Sequence, residues 1–186
     1  MVRMRVAVVA LALVGLAGFA RAQEEEKKAE VAKAPAIDFR KLKELMPAEL
    51  NGLKRTESNG EKNQFGGMSI SQATADYKKA KDQDDEKEPT IRVEVIDYAG
   101  VDMAKGLAAA WTLAEVDRES DDGYEKTVKV KGNPALETWD KAGRHGRVQV
   151  LVGGRFILTV ETNNLPSEQV IKVVDGLPLE KLAGLK

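Results

Sequence analysis

The chain has 186 residues, 42% of them hydrophobic and 32% charged, with no cysteine, one histidine and a formal net charge of −1. That length builds one domain with a real core rather than two. The missing thiols exclude disulfide scaffolds, thiolate chemistry, Cys-ligated metals and the lipid-bearing cysteine of a bacterial lipoprotein.

The N-terminus reads as a leader. MVRMR is basic, Val6–Ala20 is an apolar run of 15 residues, and Ala20-Arg21-Ala22 is a small-x-small site. This is the pattern of a secretory signal peptide of bacterial style, cut after Ala22. The run is shorter than the roughly 20 residues a spanning helix needs, so the mature chain is expected to have no transmembrane segment. Residues 1–22 hold Arg3, Arg5 and Arg21 and no acid, which leaves 26 basic against 30 acidic side chains and a net charge of −4. A nucleic-acid or anionic-membrane surface needs a basic patch, so neither partner is expected. The implied location is secreted, in the bacterial periplasm.

Gln23–Ala36, QEEEKKAEVAKAPA, is charged and almost free of large apolar residues, which predicts a flexible linker over 23–36. A single domain follows over 37–186. Asp38 is a candidate N-cap for a helix in which Phe39, Leu42, Leu45 and Met46 recur at helical spacing, and Pro47 ends it. Leu50–Leu53 reads as a turn into a short strand. Ser58–Gly67, with Asn59-Gly60 and Gly66-Gly67, reads as a hairpin-type loop. Met68–Lys79 is a strand in which Met68 and Ile70 share one parity and Ala73, Ala75 and Tyr77 the other. A bulge or burial of both faces accounts for the switch. Lys79–Pro89 is a solvated loop, and Thr90–Tyr98 a strand with Ile91, Val93 and Val95 inward and Arg92 and Glu94 outward.

Asp102 caps a helix expected to run to about Val116, its stripe formed by Met103, Leu107, Ala110, Trp111 and Ala114. Glu119–Gly123 is a turn, Tyr124–Lys131 a strand, Gly132-Asn133-Pro134 a turn, Ala135–Asp140 a strand, and Ala142–Gly146 a further turn. Gly146–Thr162 is the most apolar stretch after the leader. Gly153-Gly154 divides it as a two-residue hairpin that sets Val152 against Arg155 and Val150 against Ile157. One face then carries Val148, Val150, Val152 and Ile157, and the other Leu151, Phe156, Leu158 and Val160, so the hairpin is buried on both sides. Pro166 opens a last helix with Val170, Ile171 and Val174 buried, Gly176 stops it, and Leu177, Leu179, Leu182 and Leu185 pack the tail down.

The order of elements gives an α+β class: one antiparallel sheet of about six or seven strands with helices packed on both faces. The segment VQVLVGGRFILTVE followed by PSEQVIKVVDGL, in a secreted chain, resembles the PsbP-like fold of small lumenal and periplasmic proteins. That resemblance implies an α/β/α sandwich and a non-enzymatic accessory or binding role. It supplies no site residues.

Catalytic signals are sparse. His145 is alone, and a His-based triad or multi-His metal site needs partners. Ser69, Ser71 and Ser167 sit in no GxSxG elbow, and neither GxxxxGK[ST] nor GxGxxG occurs. The acidic run Asp82, Asp84, Asp85, Glu86 and Glu88 has Lys87 where a calcium loop beginning at Asp82 needs glycine, so it reads as a solvated loop. Glu94 and Glu161 stand on outward strand positions, without the aromatic lining of a sugar cleft. No catalytic, cofactor-binding or metal residues are assigned. Trp111, Trp139, Tyr77, Tyr98 and Tyr124 are the candidate lining of a ligand or partner pocket, against the competing reading that they pack in the core. The expectation is a non-enzymatic accessory module that binds an envelope protein or a small ligand without a cofactor. The alternative is a metal- or polysaccharide-directed envelope enzyme.

Overall fold

Among the described residues nine strands join one sheet, its central members by alternation of apolar and polar residues and its polar ones by backbone pairing. In the computed structural model the described residues are 35–65, 68–79, 87–99, 106, 110–111 and 115–185. The strands are β1 (Glu49–Leu50), β2 (Leu53–Phe65), β3 (Met68–Lys78), β4 (Thr90–Asp97), β5 (Asp117–Ser120), β6 (Gly123–Val130), β7 (Asn133–Asp140), β8 (His145–Val152) and β9 (Phe156–Asn163). Their spatial order is β1-β2-β3-β4-β9-β8-β7-β6-β5, antiparallel throughout. Two meanders, β1 to β4 and β5 to β9, therefore meet where β4 pairs with β9.

The cross-strand register puts one row of side chains on a single face. Tyr77 and Ile91, Ala75 and Val93, and Ala73 and Val95 are opposite one another, and Val93 meets Val160, which meets Val148. All of these are buried. Three helices cover this face. Helix α1 (Phe39–Glu44) is capped by Asp38, whose carboxylate accepts from the Arg40 N–H, and it lies over β2 and β3. Helix α2 (Ser167–Val173) lies over β8 and β9 and continues as a 3₁₀ turn, Val174–Gly176. Helix α3 (Leu179–Ala183) packs on β8. Leu42, Met46, Val170, Val173, Leu179 and Leu182 share one core cluster with the sheet.

The opposite face carries a ladder of charge. Register places Asp76 beside Arg92, Arg92 beside Glu161, Glu161 beside Arg147, and, beyond Thr138, Glu125 beside Arg118. Arg147 Nε lies 3.4 Å from Glu161 Oε1 and Arg92 Nη1 3.5 Å from Asp76 Oδ1. Opposite charges on facing strands suit a surface that meets water.

This corrects the expected sandwich of six or seven strands with helices on both faces. Among the described residues the sheet has nine strands, and the three α-helices with described bounds are short and lie on one face. The additional strands are polar. The expected hairpin-type loop Ser58–Gly67 is strand over its described residues 58–65, because β2 runs straight through Asn59-Gly60. Gly60 is there for close approach, since a Cβ would lie 2.6 Å from Phe39 Cδ2 of α1. Strand β5, DRES, is exposed along its length and so carries no apolar alternation. Strand β3 has no bulge of its own. The irregularity lies in β2, between Arg55 and Glu57.

The central hairpin is also shifted by one residue. Val152 pairs with Phe156, Leu151 with Ile157 and Val150 with Leu158. The Arg155 N–H still donates to Val152 O at 3.2 Å, with Gly153 and Gly154 at φ +60° and +66°, but Arg155 is extra to the ladder. A one-residue slip turns every later side chain over. Phe156, Leu158 and Val160 therefore join Val148, Val150 and Val152 under the helices, while Leu151 and Ile157 are buried on the other face. Burial on both faces stands, with different members.

Asp97 supplies the physical reason for the shift. It is fully buried at the end of β4, and Arg155 forks onto it through Nε to Oδ1 and Nη2 to Oδ2, both at 2.7 Å. The Ile37 N–H donates to Asp97 Oδ2 at 2.7 Å, and Arg155 Nη2 also reaches Pro35 O at 3.1 Å. The clamp fixes the chain where it enters the domain.

Candidate functional site

The wing formed by β5, β6 and β7 is built differently from the centre. Strand β6, GYEKTVKV, buries only Val130 fully, and its neighbour β5 buries nothing. At the end of this wing the chain makes two turns, after Ser120 and after Asp140. Between them lies an open groove of about 490 Å³.

Tyr124 and Trp139 form its apolar surface. They are direct cross-strand partners, and both are half-buried. Gly123 lets them meet. A Cβ at Gly123 would fall 1.9 Å from the Trp139 carbonyl oxygen, so only glycine allows the strands this approach. Arg118, Glu119 and Ser120 of β5 and Asp122, Glu125 and Asp140 make the rim. Asp140 Oδ1 accepts from the N–H groups of Ala142 and Gly143 at 2.9 and 3.2 Å, which shapes the second turn.

Beside the groove sits a buried carboxylate. Glu137 is 2% exposed. Its Oε1 accepts the Tyr124 hydroxyl at 2.9 Å, and Lys126 Nζ stands 3.3 Å from Oε2 as an ion pair, without hydrogen-bond alignment. The Lys126 ammonium also lies 4.5 Å from the centre of the Tyr124 ring. Desolvation first, then the hydrogen bond and charge of Glu137, push the Tyr124 phenol well above its ordinary range, so it remains a neutral donor.

Of the five expected aromatics, then, the structure brings two together. Tyr77 is core: it is fully buried, its hydroxyl donates to Pro47 O at 3.0 Å, and burial pushes its pKa up to about 12. Tyr98 follows β4, far along the sheet order from β6 and β7, and is half-buried; desolvation and then the charge of Glu94 raise its pKa. Trp111 is helical, with Gly106 and Ala110, and half-buried. The rest of the helix expected over 102–116 lies mostly outside the described residues, as do most of the acidic run and the Gly66-Gly67 turn.

His145 falls within the expected Ala142–Gly146 turn, but the structure places it in a strand. It is the first residue of β8, half-buried, with Nδ1 3.0 Å from Asn163 Oδ1. Gly146 is not a hinge: a Cβ there would strike Val170 of α2 at 2.5 Å. Glu94 accepts from Gln72 Nε2 at 2.6 Å, and Glu161 is held by Arg147, so these two carboxylates are tied into the outer face. Among the described residues no group of three or more His, Cys, Asp or Glu is disposed to hold a metal ion.

Sequence reasoning named Tyr124 and Trp139 but missed the rim. Glu119 and Asp122 sit in a stretch read as a plain turn. The signal available was Gly123 before Tyr124 and the charge density of DRESDDG, neither of which is specific. No family model, no curated protein and no solved structure matches this chain.

Proposed function

We propose that this is a secreted, periplasmic, non-enzymatic accessory protein that binds a ligand or partner in the groove at the end of β5, β6 and β7. The observation that carries the reading is the Tyr124–Trp139 pair. Large aromatic surfaces normally close over one another in a core or bury against a helix. Here the two stand half-buried and line an open concavity, Trp139 resting against the core on one side and leaving the other exposed, with charged residues of the turn beside them. That combination of apolar floor and convergent polar groups is the usual composition of a binding site. Placement on the outermost wing leaves the groove open beyond the end of the sheet.

The secretory part of the reading rests on residues 1–22. No helix among the described residues is long and apolar enough to cross a membrane. Intact mass of the exported protein is expected to match a chain beginning at Gln23. Retention of residues 1–22 after export contradicts this part.

The binding part is tested by following the backbone and indole N–H resonances of the exported protein during ligand titration. Shifts centred on Tyr124 and Trp139 are expected. A ligand that binds saturably while shifting only β2 to β4 contradicts the site.

A further inference from the structure

Resting on the groove as the binding site, we propose that its occupant is a basic peptide segment of a partner protein, whose lysine or arginine side chains lie on the Trp139 ring and against the carboxylates of the rim. Charge complementarity is the first argument. On the side of the sheet that carries the two rings, Glu119 stands opposite Tyr124 and Asp122 follows at the turn, while Glu125 and Arg118 face each other on the other side. A negative groove repels an anionic ligand and steers a cationic one toward itself.

The second argument is that the wing already holds a cation by this same chemistry. Lys126 sits over the Tyr124 ring and beside the Glu137 carboxylate. An aromatic face attracts an ammonium or guanidinium through its quadrupole. The Tyr124 hydroxyl donates to Glu137, which draws electron density into the ring and strengthens that attraction.

The third argument favours an extended peptide over a small amine. The groove is an open trough, so a small solute would remain largely in water there. Arg118, Glu119 and Ser120 belong to β5, the last strand in the sheet order, which among the described residues pairs only with β6. An extended segment pairs its backbone with such an open edge while alternate side chains reach into adjoining pockets. A basic segment laid along β5 thus brings its side chains to the rim.

The test uses the exported protein with Trp111→Phe, which leaves Trp139 as the one indole of the chain's two. Hexalysine is titrated against Trp139 emission, beside fully Nε-acetylated hexalysine and a neutral hexasaccharide. Saturable binding of hexalysine alone is expected, weakening with salt as surface charge interactions do. Glu119→Gln/Asp122→Asn, both exposed positions, is expected to weaken it at least tenfold with an unchanged melting temperature. The charge-matched control Glu44→Gln/Glu49→Gln is expected to leave it unchanged. Equal loss in the control, equal binding of the acetylated peptide, or no saturable binding of hexalysine overturns the inference. If the neutral hexasaccharide alone moves Trp139, the groove stands as the site and the basic peptide falls. If hexalysine binds saturably without touching Trp139, and indifferently to the groove variant, both readings fall.

Discussion

The centre of the sheet and its β5–β7 wing each contain a buried carboxylate, and the two are served very differently. Asp97, between the meanders, is fully buried and receives three donations at 2.7 Å from Arg155 and the Ile37 backbone. Glu137, in the wing, has one hydrogen bond, from Tyr124, and a looser ion pair with Lys126. Across the strands from Asp97 stand the buried Ser71 and Phe156. Around Glu137 stand a half-buried tyrosine and tryptophan beside an open groove. The lesson is that the buried carboxylate of the centre is fully matched by donors. The wing leaves one oxygen of its buried carboxylate without a hydrogen bond and its tryptophan half-exposed, and such capacity is what a bound partner can use.

The comparison breaks most easily in the centre. Val150 and Leu158 are opposite one another under the helices, so Val150→Asp or Leu158→Asp buries an unpaired carboxylate. That costs several kcal/mol against a total stability of about 5–15 kcal/mol. Circular dichroism is expected to show an unfolded chain or loss of the cooperative melt for both. Native-like melting of either variant would mean that the centre is not close-packed.

Asp97→Ala comes next. Removing one partner of a buried ion pair typically costs about 3–5 kcal/mol, because the remaining charge is left without its counterpart. Urea unfolding is expected to show a loss of that size. A loss below about 1 kcal/mol would show that the clamp is dispensable and that the chain entry is held by other contacts.

Tyr77 gives a smaller, pH-dependent effect. Its ordinary pKa near 10 rises to about 12 in the fold, chiefly because burial disfavours the phenolate. A folded-state pKa above the unfolded one means that the stabilisation is complete below pH 10 and is lost as pH rises from 10 towards 12. Two pKa units correspond to about 2.7 kcal/mol, an order of magnitude for the loss across that window. Chemical denaturation across the window is expected to show the fall for wild type and a shallower fall for Tyr77→Phe. Identical slopes would contradict the assigned burial.

Much of the centre was legible in the residues themselves. Ile91, Val93 and Val95 alternate with Arg92 and Glu94, and such period-two patterns report a half-buried strand directly. Asp38 and Pro47 bracket α1 by cap and by backbone restriction. The polar strands were not legible. DRES in β5 and TESNGEKNQ in β2 owe their conformation to hydrogen bonds with a neighbouring strand, and backbone pairing leaves no side-chain signature. Gly60 misled because a glycine that permits a turn and one that makes room for Phe39 look alike in sequence. The hairpin register failed by one residue because Arg155 is spent on Asp97, 58 positions away, a contact no local pattern announces. At the groove, Tyr124 and Trp139 were visible as candidates. Their meeting depends on the β6–β7 register, and separating them from Tyr77 required the fold.

The most direct test of the division between centre and wing is Trp139→Ala measured beside Leu158→Ala, each read for melting temperature and for hexalysine binding. Leu158 is 1% exposed, and truncating a buried leucine costs about 2–5 kcal/mol. The account predicts that Leu158→Ala lowers the melting temperature at least twice as far as Trp139→Ala and leaves the affinity of the folded protein unchanged. Trp139→Ala is predicted to remain folded and to lose binding at least tenfold. A Trp139→Ala protein that melts as early as Leu158→Ala, or that binds as tightly as wild type, would contradict it.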